Sequence, residues 1–70
     1  MAKESIQIQF GKKIRKIRNE KDYSQEEFAF KCGLHRTYIG CIERGEKNIT
    51  IKNIEKIAKA LKVKMSALFN

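Results

Sequence analysis

Along most of the chain apolar residues recur at intervals of three and four, a spacing that places them on one side of successive α-helices. Ile6, Phe10, Ile14 and Ile17 form the first stripe, on a helix expected from about Ser5 to Asn19. Lys12, Lys13, Arg15 and Lys16 lie on its other face as solvated charge. Phe28, Ala29 and Cys32 form a second stripe and Ile39 and Ile42 a third. Ile51, Ile54, Ile57, Ala58 and Leu61 form a fourth, with Lys52, Lys56 and Lys59 pointing away. Val63, Met65, Leu68 and Phe69 point to a last short helix over about 64–69, poorly capped because Lys64 stands where a small polar residue serves better. So many apolar residues near a terminus imply docking, on the domain's own core or on a second copy. Proline is absent and no repeat or linker interrupts the pattern, so the expectation is an all-α, compact five-helix fold forming a single domain over residues 1–70.

The helix boundaries carry their own signals. Ser24 is placed to cap the second helix, Glu27 reaches back to it, and Tyr23 and Phe28 flank the cap as a hydrophobic staple. Asp22 closes the turn before it. Gly33 follows Cys32 where the chain must reverse, and glycine takes the left-handed conformation there without steric cost. The third helix is expected from His35 or Arg36 to Arg44, with Gly45 ending it. Thr50 caps the fourth, stapled by Ile49 and Ile54. Two short helices joined by about three residues of turn make a helix-turn-helix pattern over Ser24–Arg44. Phe30 falls off its helix's stripe and is either exposed or a partner contact.

Charge adds a partner to this picture. Lys and Arg outnumber Asp and Glu by 16 to 8, the net charge is +8 and the pI about 9.8, a balance that favours a polyanion. Residues 24–47 carry four charges of each sign, so the excess lies in the flanks. Cys32 and Cys41 form no CxxC pair, and the single His35 completes no ligand set; neither metal nor cofactor is expected. They read as free thiols in a reducing cytoplasm, with a redox-sensitive thiol at Cys41 as the alternative. No apolar run approaches ~18 residues, so no membrane partner is expected. The chain offers no carboxylate pair in a cleft-sized fold, no glycine-rich phosphate loop and no nucleophile with a plausible base, which argues against an enzyme.

Chemistry concentrates at the start of the third helix. A helix fits the major groove of DNA, where every base pair shows a distinct pattern of donors, acceptors and methyl groups. In helix-turn-helix proteins the leading residues of the second helix meet base edges. Here those are Arg36, whose fork fits guanine O6 and N7, and Thr37, whose hydroxyl and methyl suit a base or phosphate. The alternative for Arg36 is an ordinary exposed arginine. Cys41, one turn beyond Thr37, is either a groove-facing or a buried thiol. Phosphate contacts outnumber base contacts in such complexes; the candidates are Gln25, Tyr38, Arg44, Lys47, Asn48 and Lys52. The helix starts at Gln25 and Ile51 also present backbone N–H groups to an anion.

The run SQEEFA, then CGL, IERGE and ITIKNIEKIAKAL, resembles the phage Cro and repressor type of helix-turn-helix regulator over about residues 10–69. Within that family HRTYIGCIERGEKNIT is most similar to the controller proteins of restriction-modification systems. The resemblance implies five helices, a palindromic double-stranded DNA operator, and a homodimer formed through the last helix, with Met65, Leu68 and Phe69 at the interface. It also implies that Arg18 pairs with Glu43, that Gln25 touches the DNA backbone, and that Arg36 and Thr37 read bases. Controller proteins both activate and repress their own promoters, which makes RNA polymerase a further expected partner. The chain departs from the family at Asp22, where glycine is usual, and at RTYIGC, where RTYISG is usual. Outside the controller reading stand a phage-type or antitoxin-type repressor and, from a different class, a helical protein-interaction module using Phe30 and the apolar tail.

Overall fold

The computed structural model describes residues 4–69. Four α-helices follow in order: α1 (Ile6–Glu20), α2 (Gln25–Cys32), α3 (Arg36–Glu43) and α4 (Ile51–Leu61), and a 3-10 helix covers Met65–Phe69. Each α-helix opens on a side-chain cap that meets backbone N–H groups otherwise left unpaired. Ser5 accepts from Ile8, Ser24 from Glu27 and Thr50 from Asn53. At α2 the capping box is complete, since the Glu27 carboxylate also accepts from Ser24 N–H at 3.1 Å. Gly33 closes α2 at φ 70°, in the left-handed region where a Cβ would be strained.

Phe28, Ile14, Ile39, Ile57, Leu61 and Leu68 are the largest fully buried side chains. Helix α1 packs on α3 and on the C-terminal 3-10 helix; α2 packs on α3 and α4. The approach of α1 to α3 depends on Gly11, which is buried. A Cβ there would stand 2.3 Å from the Ile42 carbonyl oxygen and 2.6 Å from that of Glu43, inside any van der Waals contact. Asp22 turns the chain between α1 and α2 at φ 60°, so this left-handed turn does rest on an aspartate, one of the few non-glycine types that accept it.

Two expectations need correction, and the residues expected at a dimer interface can be located. The fifth element is a 3-10 helix rather than an α-helix: Lys62 leaves α4 in the left-handed region, no capping residue follows, and Ala67 N–H bonds Lys64 O three residues back. Ile51, assigned to the inner stripe of α4, is 75% exposed, and Ile6 of α1 is 61% exposed. Both open their helices, where the first turn projects past the elements the helix packs on. Of the three residues placed at a dimer interface, Leu68 fills this chain's own core, Met65 is half-buried, and Phe69 is exposed on one side while stacking on Phe10 at 5.1 Å between ring centroids.

Gly11→Ala is expected to destabilise the fold by about 2–3 kcal/mol through overpacking, although alanine favours a helix over glycine by ~1 kcal/mol. Urea unfolding followed by circular dichroism reads this, and a variant as stable as the parent would mean that α1 and α3 separate without cost.

Candidate nucleic-acid interface

The side chains of Arg18 and Glu43 join α1 to the end of α3. Arg18 Nε donates to Glu43 Oε2 at 2.7 Å and Nη2 to Oε1 at 3.1 Å, a two-pronged pair that is buried on both sides. Two further bonds complete it. Arg18 Nη1 donates to the Tyr23 carbonyl at 2.8 Å, and Gln25 Nε2 donates to Glu43 Oε1 at 3.1 Å. One guanidinium and one carboxylate therefore tie α1, the turn before α2, the first residue of α2 and the last of α3. Among the described residues no buried side-chain nitrogen or oxygen lacks a partner.

Helix α3 held this way presents an open leading end. Arg36 and Thr37 are exposed, and the Arg36 side chain makes no hydrogen bond or ion pair among the described residues. His35 caps the helix, its Nδ1 accepting from Thr37 N–H at 3.2 Å. Tyr38 is half-buried, and Asn53 Nδ2 donates to its hydroxyl at 3.1 Å, which brings the first turn of α4 beside the first turn of α3. Lys52, next to Asn53, is thereby carried to the same end of the helix pair.

The other end of α3 is occupied. Arg44 Nε donates to Glu46 Oε2 at 2.9 Å and Nη2 to the Cys41 sulfur at 3.6 Å. The hydrogen bond from Arg44 holds the Glu46 carboxyl below its ordinary value. Cys41 is thus half-buried under the Arg44 guanidinium. Cys32 lies in the core, and burial pushes its thiol up to about 12, so it stays protonated and inert. Lys47 is exposed, and Asn48 Oδ1 accepts from the amide of Gln7 on α1. Of the proposed phosphate contacts, Gln25, Asn48, Tyr38 and Arg44 already have intramolecular partners, whereas Lys47 and Lys52 are free of ion pairs among the described residues. The reading of residues by spacing missed the His35 cap and the Asn53 bond to Tyr38. Asn53 three residues after Thr50 was the available signal for a polar first turn; nothing in the spacing pointed to Tyr38.

Among the described residues no three His, Cys, Asp or Glu side chains group to hold a metal, and no helix is long and apolar enough to cross a membrane. A capped α2, a glycine turn and an α3 with an open leading end define a helix-turn-helix protein. The chain belongs to the helix-turn-helix family HTH_3, whose pattern matches residues 14–68. It is 52% identical over 67 residues to the control protein C.BamHI of Bacillus amyloliquefaciens, covering 94% of this chain and 83% of that one. The crystal structure of the restriction-modification controller protein C.AhdI from Aeromonas hydrophila superposes with a TM-score of 0.87 at 44% identity, covering 89% of this chain and 94% of that chain. The controller protein C.Esp1396I, solved as a tetramer with its natural 35 base-pair operator, gives a TM-score of 0.86 at 42% identity, covering 96% and 88% of the two chains. The two solved neighbours are restriction-modification controller proteins by name, and C.Esp1396I is solved on its operator DNA.

Glu43→Ala should cost about 3–5 kcal/mol because it strands a buried guanidinium. For 70 residues the whole stability is about 4–10 kcal/mol, so a large share of it is lost and thermal melts should show a midpoint well below that of the parent. Joint replacement of Arg18 and Glu43 by Met and Leu should recover much of the loss; a double variant no better than the single one would assign the cost to something other than the stranded charge. Thiol titration with an aromatic disulfide should find Cys41 reacting in the native protein and Cys32 only after unfolding, and equal rates would refute the buried position of Cys32. The same burial gives a sign in pH. Because the Cys32 thiol is raised from 9.0 to about 12 on folding, its contribution to stability is complete below pH 9 and is lost as pH climbs from there towards 12.

Proposed function

We propose that this chain is the controller protein of a restriction-modification system, a cytoplasmic transcriptional regulator that binds a palindromic operator as a homodimer and sets expression of its own operon. The observation that carries the reading is the open leading end of α3, with Arg36 and Thr37 unengaged on a helix that the Arg18–Glu43 pair fixes against α1 and α2. Support for the narrower role comes from the controller relatives, matched across nearly their whole length.

In this reading Arg36 and Thr37 meet base edges, Cys41 lines the groove one turn on, and Lys47 and Lys52 bind phosphates. Gln25, Tyr38, Arg44 and Asn48 are positioned by their intramolecular bonds and reach the backbone from there. Met65 and the free side of Phe69 supply the contact between protomers, with Leu68 beneath them as core. A contact with RNA polymerase is supported by the outer face of α2, where Phe30 is 88% exposed beside Glu26.

Arg36→Ala should weaken binding to the cognate operator by ~1–3 kcal/mol and relax discrimination at one base pair. Lys47→Ala should weaken matched and mismatched duplexes alike and reduce the log–log salt slope by about 1. Gel-shift titrations across a salt series measure both. Parent protein that holds unrelated duplexes as tightly as the operator would sink the claim of specificity, and identical behaviour of the two variants would sink the division of labour.

A further inference from the structure

Helix α3 begins on an unusual capping residue. Ser, Thr, Asp and Asn dominate that position, and α1, α2 and α4 use Ser5, Ser24 and Thr50. His35 does the same work through an imidazole, with extended backbone at φ −72° and ψ 142° and Nδ1 accepting from Thr37 N–H. The difference is chemical. A serine cap leaves no aromatic N–H behind, whereas an imidazole has a second nitrogen. In the neutral ring an accepting Nδ1 places the proton on Nε2. The cap bond therefore fixes one outward N–H donor on an exposed ring immediately before Arg36, and that donor has no partner among the described residues.

We infer that His35 is a DNA-contacting residue in its own right: Nε2–H donates to a backbone phosphate beside the groove that α3 enters, and the cap bond holds the donor in position before DNA arrives. The inference rests on the operator-binding reading above and adds a residue to it. The tether matters because a side chain already held by its own helix loses less conformational entropy on binding than a free one. A phosphate is the fitting partner for two reasons. The start of a helix carries partial positive charge on its unpaired N–H groups and favours an anion. A single donor also lacks the two-point geometry by which side chains discriminate bases.

His35→Ser separates the two roles, since serine keeps a capping oxygen and removes the ring donor; His35→Thr is the second capping variant should either fold poorly. Assayed at mildly alkaline pH, the serine variant should melt at the parent temperature. It should lose about tenfold in operator affinity, the effect of one hydrogen bond to a charged group. The loss should be equal on matched and mismatched duplexes, and the log–log salt line should run parallel to that of the parent, because a neutral donor releases no counterion. His35→Ala, which also removes the cap, should lower the melting temperature as well. A capping variant that folds like the parent and binds like it overturns the inference; so does a loss confined to the matched duplex, which would put the ring on a base edge. Arg36→Ala and Lys47→Ala run alongside. If neither of those weakens binding, the operator reading itself has failed, whereas their weakening with an unaffected His35→Ser removes the histidine alone.

Discussion

The buried pair of Arg18 with Glu43 is the constraint on which the rest depends. A charge in a protein interior is costly unless every donor and acceptor is matched, and here the Tyr23 carbonyl and the Gln25 amide supply the matches that the pair alone would lack. The geometry is therefore close to all-or-none. The guanidinium fixes where the turn before α2 must pass, the carboxylate fixes the last residue of α3, and both need α1 near enough to span them. That nearness is set by backbone rather than by side chains, because Gly11 lets α1 lie against the Ile42 and Glu43 carbonyls. In so small a core, direction comes from this polar junction and cohesion from the apolar stripes around it.

A rigid α3 is what a reading helix requires. Positioning costs are met in the fold, so a ligand at the exposed leading end would not first have to organise the helix beneath it. Charge is divided in the same spirit. The segment from Ser24 to Lys47 is neutral overall, and three of its four carboxylates are committed to structure: Glu27 to the α2 cap, Glu43 to Arg18, Glu46 to Arg44. The excess positive charge lies with the lysines of α1, α4 and the tail, a distribution that draws a polyanion from a distance.

Much of this was legible in the residues. The capping box, the Gly33 turn and the stripes of α1 to α4 follow from local rules, because a cap or an i to i+4 pattern is decided within a few residues of itself. What the residues did not yield was decided elsewhere. Ile6 and Ile51 fit their stripes but lie beyond the edge of the neighbouring elements, and only the packing shows where that edge falls. Residues 65–69 have apolar spacing suited to an α-turn, yet with no cap to start one after the left-handed Lys62 they form a 3-10 helix. Gln25 was read as a contact to the DNA backbone; that its amide also completes the Glu43 carboxylate is a contact across 18 residues of sequence that no local pattern encodes. The His35 cap is local but was hidden by residue type, since histidine is not among the residues that announce a helix start.

The two ends of α3 are consequently unlike. At the leading end the side chains beyond the cap are uncommitted, and the neighbouring turn of α4 leans in through Asn53 and Tyr38. At the trailing end Gly40 is buried with the Arg44 guanidinium 3.2 Å from where its Cβ would lie, and the same guanidinium is bonded to Glu46 and Cys41. A base-reading side chain at the trailing end would first have to be released from those bonds, and a bulkier residue at 40 would displace Arg44. Glycine followed by cysteine there keeps the helix surface low, so a duplex could approach closely without being questioned base by base. The departure from the family pattern at RTYIGC thus falls on the occupied half of the helix, while the half that carries Arg36 and Thr37 stays open.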